Sequence, residues 1–522
     1  MTIHTLSAVE LLEHQRRGDL SSVEVIEALH ARADVAHPTV NGWAHQFRED
    51  ALARAKAADE ARAGGGELGG LHGLPISVKE NIATAGVPVT MGLGYRQGTP
   101  ERADAVTVQL AREAGAIVIG KGNVPQFLLA MESENPIWGT TNNPWKAGRA
   151  SGGSSGGEAA LVASGQVPVA IATDVGGSIR QPASFCGVVG FKPTEHRWSN
   201  VGSVSAIKGQ EAFRSQMGVI ARTTADVTLM MRTLDAPLHA ARDPFVPPLP
   251  IGDPAQIDLR GLRVGYYEDD GFFAPSAALQ RAVREAAAHL RDAGAEVVPF
   301  SPPNVEAIAW AVFSILSADG TATLTAQLRE ETLIPQLQPV FRLARLPGPA
   351  RRAAAALMAA RGEPRVAGLL RSLGRKPVEA LWRLTDERAR LRHEELAAWE
   401  AAGVDAIVCA PHATPAVKQR ESGDFSLSSV YCMRYNLLNL PAGTVPVTRV
   451  REDEQSTRRG GDRIEKKAAF MDEGSAGLPA GVQVVARPWR EDVALAVMAA
   501  VEAGARAGSD YPLTPVDQAL PR

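Results

Sequence analysis

The 522-residue sequence predicts an α/β fold, and three observations carry that prediction. A β-branched run over 74–82 (LPISVKENI) and an apolar run over 116–120 (AIVIG) enclose a helical pattern at 104–114, giving a β-α-β unit. Further short apolar runs at 262–267, 406–410, 442–448 and 481–486 carry the same rhythm to the far end of the chain. A helical pattern at 276–292 separates two of these runs, as a crossover helix would.

The elements follow in order. Ser7 with Glu10, and Ser21 with Glu24, are two capping boxes, each at the head of an apolar helical pattern. The Gly-rich stretch 63–70 closes this N-terminal helical arm, taken as residues 1–70. A core follows over 71–325, interrupted by a Pro-rich linker from Pro237 to Pro254 that separates two parts of the sheet. Residues 326–395 read as a helical basic cap insertion and 396–522 as the remainder of the core, with a charged excursion over 451–467 expected at the surface. Length alone would allow three units of about 150 residues; the pattern instead predicts one large α/β domain with an arm and a cap.

Composition narrows the function. Fifty-five Lys and Arg against 58 Asp and Glu leave a net charge of −3, which excludes a generally polybasic nucleic-acid binder, and no nucleic-acid partner is expected. Cys186, Cys409 and Cys432 are odd in number and widely spaced, so neither a disulfide framework nor a thiolate zinc site is read, and a reducing compartment is expected. No basic start followed by an apolar run opens the chain, and no run nears the roughly 20 apolar residues of a bilayer span. A cytoplasmic location is the expectation.

One stretch departs from this balance. Residues 340–376 hold nine Lys and Arg against Glu363 alone, a local +8 that leaves −11 for the rest of the chain. Interleaved leucines, with breaks at Pro347, Pro349 and Pro364, predict short amphipathic helices in a hairpin. Such a hairpin can lie peripherally on an anionic membrane surface; with Phe341 as its one aromatic anchor, an ordinary surface pair with solvated arginines is favoured.

The chemistry concentrates between Lys79 and Arg180. Gly152, Gly153, Gly156 and Gly157 flank Ser154 and Ser155, where backbone can approach a ligand. Asp174-Val175-Gly176-Gly177-Ser178 offers successive amides ahead of a hydroxyl, a turn able to cradle an oxyanion; glycines alone would favour plain turns. Gly152 to Gly156 also fits G-x-S-x-G, but none of the downstream histidines (His196, His239, His289, His393, His412) has a compelling setting for that hydrolase triad. Ser205 to Lys208 fits S-x-x-K without the K-T-G that should follow. Phosphate-loop and metal-ligand patterns are lacking.

What remains is Lys79 with two serines, and here the sequence closely resembles the amidase signature family. The resemblance lies in Gly152 to Gly157, in Thr173-Asp174-Val175-Gly176-Gly177-Ser178-Ile179-Arg180, in Phe185 to Thr194, in Pro75 to Asn81, and in Asn143-Pro144-Trp145. Within that family it is most like the fatty acid amide hydrolase-like amidases, through Asn123-Val124-Pro125-Gln126, Leu440 to Thr448 with Glu452-Asp453-Glu454, and the cap segments Arg345-Leu346-Pro347 and Glu379 to Trp382. The chain differs in lacking an N-terminal transmembrane helix and in a hairpin of Ala, Gly and Arg where those amidases carry bulky apolar side chains.

The resemblance implies a central twisted mixed β-sheet flanked by helices with a helical cap, and a cofactor-free serine hydrolase of carboxylic amides with an apolar or fatty acyl group. It implies Ser178 as nucleophile, Lys79 as base acting through Ser154 (whose peptide bond is cis in the family), and an oxyanion cradle from the amides of Val175, Gly176, Gly177 and Ser178. Ser155, Asp174 and Arg180 would hold the loop, the last two equally well as a plain structural ion pair. Leu128, Leu129 and Thr173 would line the substrate pocket. A serine needs a base, and with no histidine offered Lys79 must be neutral at working pH, as burial would favour. The partners implied are a small-molecule amide and a second copy in a homodimer. Two other activities fit the same motifs: a general amidase for aryl, peptide, lactam or carbamate substrates, and an amidotransferase A-type subunit working in a complex.

Overall fold

The computed structural model describes residues 2–455 and 457–515. Among them are thirteen strands: β1 (Trp43–Gln46), β2 (Pro75–Lys79), β3 (Ile117–Gly122), β4 (Glu134–Asn135), β5 (Gly139–Thr140), β6 (Val169–Asp174), β7 (Val189–Lys192), β8 (Gln216–Ala221), β9 (Arg263–Tyr266), β10 (Glu296–Pro299), β11 (Ala406–Cys409), β12 (Ala442–Arg449) and β13 (Pro479–Ala486). β4 and β5 form a small hairpin; the other eleven make one sheet in the order β1-β3-β2-β6-β8-β7-β12-β13-β11-β9-β10. The sheet is mixed. β3, β2 and β6 run parallel, as do β11, β9 and β10, and the strands between them pair antiparallel. This is the mixed sheet that the resemblance implied.

β2, β3, β6 and β8 are buried along their whole length, which is why their sequences are continuous apolar runs rather than alternating ones. Helix 156–163 packs on β2, β3 and β6, while helices 277–292 and 491–506 pack on β12 and β13. The Pro-rich linker lies where the chain passes from β8 to β9, between the two parts of the sheet. Both capping boxes form: Ser7 Oγ accepts from Glu10 N at 3.2 Å, and Ser21 Oγ from Glu24 N at 3.1 Å. β1 sits inside the stretch read as a helical arm and pairs antiparallel with β3, so the arm contributes the edge of the sheet.

The basic segment folds as three helices, Gln338–Arg345, Gly348–Ala360 and Pro364–Ser372, with Pro347 and Pro364 at the two breaks. A 25-residue helix, Val378–Ala402, then returns the chain to the sheet. Of the nine cations in 340–376, Arg365 alone forms an ion pair among the described residues, with Asp462 and Glu465. Leu357 and Trp382 are exposed, and no helix among the described residues is long and apolar enough to cross a membrane.

The charged excursion lies largely at the surface, as expected, but is anchored inward at Arg458. Asp462 caps helix Arg463–Asp472, and the side chain of Arg458 is 5% exposed, held by Asp472 at 2.6 Å and Glu465 at 2.7 Å and by the Ala274 and Ala413 carbonyls. A single charged side chain can be buried once it finds partners. Ser456, within that excursion, lies outside the described residues. All three cysteines are free and buried.

Candidate active site

β2 and β6 are parallel neighbours, with Val78 opposite Ile171, so Lys79 and Thr173 emerge at the same sheet end. Crevices beyond the carboxyl ends of parallel strands are the common place for ligand sites in such sheets. Lys79 is wholly buried. Its Nζ lies 2.8 Å from Ser154 Oγ, 3.0 Å from Thr173 Oγ1 and 3.2 Å from the Thr173 carbonyl. Thr173 Oγ1 in turn donates to Asn81 Oδ1 at 3.3 Å. Burial drives the Lys79 ammonium down to a pKa of about 7, against the opposing pull of Asp174, Glu158 and Glu80.

Ser154 follows a cis Gly153–Ser154 peptide in the loop ahead of helix Gly156–Ala163. A Cβ at Gly153 would collide with the Ala130 carbonyl, so that position admits glycine alone. The Gly153 amide donates to Gln181 Oε1 at 3.1 Å, the Ser155 amide to the Ser178 carbonyl at 3.1 Å, and Ser155 Oγ to the Thr173 carbonyl at 3.3 Å. The two serine-bearing loops are thereby stitched together.

Asp174, at the end of β6, organises the second loop. One carboxylate oxygen accepts the Gly177 amide at 2.7 Å, and the other accepts the Ile179 amide at 3.1 Å. Arg180 donates to both oxygens, forming a fully buried ion pair at 3.0 Å. Burial alone would raise the Asp174 carboxyl, but the Arg180 guanidinium and its hydrogen bonds hold it below the usual carboxylate range. Gly177 has φ +108°, and a Cβ there would sit 2.6 Å from Cys432 Cβ. Arg180 also reaches Gln483 Oε1 at 2.6 Å, the Cys432 carbonyl at 3.1 Å and Asn436 Oδ1 at 2.5 Å. Because Asp174 takes the Gly177 amide, the amides of Val175, Gly176 and Ser178 are those left without an acceptor among the described residues.

Ser154, Thr173, Val175 and Ser178 share one cavity of about 560 Å³ with Leu128 and Leu129. One wall is apolar: Phe127, Leu128 and Leu129 belong to a buried cluster that runs through Ile334 and Leu337 to Phe341 of the cap. The other wall is polar and comes from residues 200–215, including Lys208 and Arg214. No histidine lines the cavity. His412 is buried away from it, with Nε2 2.9 Å from Ser428 Oγ and a pKa pushed by burial to about 3. Ser205 and Lys208 lie on the cavity wall, with Ser205 Oγ accepting the Ile207 amide at 3.2 Å. Among the described residues no group of three His, Cys, Asp or Glu side chains is placed to hold a metal.

The structure thus brings together Lys79, Ser154, Ser155, Thr173, Asp174, Ser178 and Arg180, with Leu128, Leu129 and Val175 on the same cavity. Gly176 and Gly177 lie in the same loop, between the cavity-lining Val175 and Ser178. The sequence reading missed Gln181, Asn436 and Gln483, whose roles arise only from tertiary contacts, and gave no role to Asn81, inside a quoted motif, or to Glu158, directly after one.

Comparison with known proteins places this geometry. Residues 24–495 match the Amidase family model. The chain is 37% identical to fatty-acid amide hydrolase 1 of Sus scrofa over 438 residues, covering 83% of this chain and 75% of that protein. It is 33% identical to fatty acid amide hydrolase 1 of Caenorhabditis elegans over 510 residues, covering 96% of this chain and 88% of that protein. A solved structure of fatty acid amide hydrolase superposes with a TM-score of 0.84 at 26% identity, over 98% of this chain and 86% of that one.

Proposed function

Because this chain belongs to the amidase family and is an amide-cleaving hydrolase, we propose that it works through an acyl-enzyme on Ser178, with Lys79 as base and Ser154 as proton relay. The observation that supports this most is the Lys79 Nζ–Ser154 Oγ contact of 2.8 Å, made by a lysine so buried that its amine is half neutral near pH 7. Ser178 Oγ attacks the amide carbon, and its proton passes through Ser154 to Lys79. The amides of Val175, Gly176 and Ser178 receive the oxyanion, while Gly177, expected in that set, gives its N–H to Asp174 and shapes the loop instead. When the C–N bond breaks, the proton returns through Ser154 to the leaving amine. Water then releases the acid by the same relay.

The acyl group in this proposal is apolar and long. The supporting observation is the continuous apolar cluster from Phe127, Leu128 and Leu129 to Phe341 beneath the cap. The polar wall at 200–215 suits a polar leaving amine. The exposed, largely unpaired cations of 340–376 with Leu357 and Trp382 suit contact with an anionic membrane surface, and a homodimer belongs to the same proposal.

A serine-directed probe should label the wild type and fail on Ser178→Ala; labelling elsewhere overturns the assignment. Rates over a series of acyl amides should rise with chain length. Flat rates favour a general amidase for aryl, peptide, lactam or carbamate substrates. A purified chain inactive on every simple amide favours an amidotransferase-type subunit.

A further inference from the structure

Alternation along β2 puts Ser77 and Lys79 side by side on one face. Ser77 Oγ donates to Glu158, which sits on the helix that opens directly after Ser154 and Ser155. The other Glu158 oxygen accepts the Gly122 amide at 2.8 Å, and Gly122 ends β3 on the far side of β2. A Cβ on Gly122 would lie 2.6 Å from Glu158 Cδ, so β3 omits a side chain where this carboxyl enters. Glu158 has no exposed surface. It joins the lysine strand, the next strand and the serine helix at one buried point.

The charges around it are few. Lys79 faces Glu158 from β2 and Lys121 faces it from β3; Lys121 is buried, and its Nζ has no hydrogen-bond partner among the described residues. Lys79 in turn faces three carboxyl groups: Asp174 from β6, Glu158 from the helix and Glu80 from the turn that follows β2. Asp174 is neutralised by Arg180. Glu80 is held by the Thr90 amide at 2.5 Å, the Thr90 hydroxyl at 2.9 Å and the Met91 amide at 3.0 Å. Glu158 is the third of these carboxyls, raised by burial to about 7.

We propose that Glu158 is a positioning residue of the amide-cleaving reaction, fixing the Lys79 strand against the serine helix and setting by its charge how strongly Lys79 holds a proton. This rests on the reading of Lys79 as the base. An ionised Glu158 makes Lys79 more basic, so the proton drawn from Ser178 stays on Nζ until the leaving amine takes it.

The test is kcat/KM against pH for Glu158→Gln, whose amide oxygen can still accept the Gly122 N–H. Losing the charge should move the acid limb down by about one to two pH units, the size expected for one charge acting over several ångströms at an effective dielectric near 20. The plateau should fall several-fold, because the base is weaker. A folded variant with an unmoved limb overturns the proposal. Should Glu158→Gln not fold, Ser77→Ala removes one hydrogen bond to the carboxylate and makes Glu158 easier to protonate; its limb should move the same way by a few tenths, and an unmoved limb again overturns the proposal. Lys79→Ala separates the two readings. If it keeps the wild-type limb, the base assignment fails; if it abolishes activity while Glu158→Gln leaves the limb in place, the role of Glu158 alone fails.

Discussion

Gln181 Oε1 accepts the Gly153 amide, binding the first turn of the helix after Ser178 to the peptide before Ser154. The bond is 3.1 Å long and buried, and it spans 28 residues between the two serine-bearing loops. Gln181→Met should therefore strand a buried N–H at a cost of about 1–3 kcal/mol. A lower melting temperature and a loss of roughly tenfold or more in kcat/KM are expected, with the second effect arising from misplacement of Ser154.

The pH dependence follows from Lys79. Its folded pKa of about 7 lies below the ordinary 10.5. As the proposed base it must be neutral, so kcat/KM should rise with pH and level off above about 7, falling tenfold per unit on the acid side. Lys79→Ala should abolish turnover and with it this limb. A limb unchanged in a residually active Lys79→Ala would remove Lys79 from the mechanism.

The same group carries a stability cost. The folded chain holds the Lys79 proton less tightly than the unfolded chain, so wild-type stability should rise as pH rises from about 7 to 10.5. Lys79→Met, of similar volume, should lose activity yet melt higher near pH 7, by an amount on the order of several kcal/mol less the hydrogen bonds forgone. The gain should vanish above pH 10.5, where the lysine is neutral in both states. Thermal melts across this range check the sign.

Gly177→Ala should fail on two counts. Its φ of +108° lies in a region open to glycine, and the new Cβ would meet Cys432. The strain is about 1–3 kcal/mol, and kcat should fall by about 10²-fold or more through the displaced Val175 and Gly176 amides. Cys432→Ala in the same chain should not restore activity, because the backbone strain persists.

Arg365 ties the basic cap to the excursion through Asp462 at 2.7 Å and Glu465 at 3.2 Å. Arg365→Ala should cost about 1–3 kcal/mol and speed amide hydrogen exchange over 348–372. Hydrolysis of a short acyl amide should change little, since Arg365 does not line the cavity that holds the serines.

The parts legible in the sequence are those whose pattern is local. The β-branched run ending at Lys79, the capping serines Ser7 and Ser21, and the breaks at Pro347 and Pro364 each announce their own element. β6 does not: Val169–Asp174 is buried on both faces, so it shows no alternation, and it lies inside a stretch dominated by Gly and Ser. β7 and β8 were hidden for the same lack of alternation. Trp43–Gln46 was absorbed into helical surroundings because its partner β3 lies some 75 positions on. Around the site, the motif residues could be named, but the neutrality of Lys79 depends on burial that no local window displays. Asn436 and Gln483 look like ordinary polar residues until Arg180 reaches them. Arg458 reads as solvated because its partners Glu465 and Asp472 are recognised only once helix 463–472 turns them inward.

Arg180 also dates the site within the life of the chain. Its contacts with the Cys432 carbonyl, Asn436 and Gln483 lie 252 to 303 positions downstream, on a helix and a strand made long after Lys79, Ser154 and Ser178. A nascent or truncated chain that stops before β13 holds all three of those residues, yet its guanidinium has neither the amide of Gln483 nor the strand that keeps water from it. The loop around Ser178 then has no fixed shape to present. Hydrolytic competence is thus expected to wait for β13, and a truncation ahead of Pro479 should silence it.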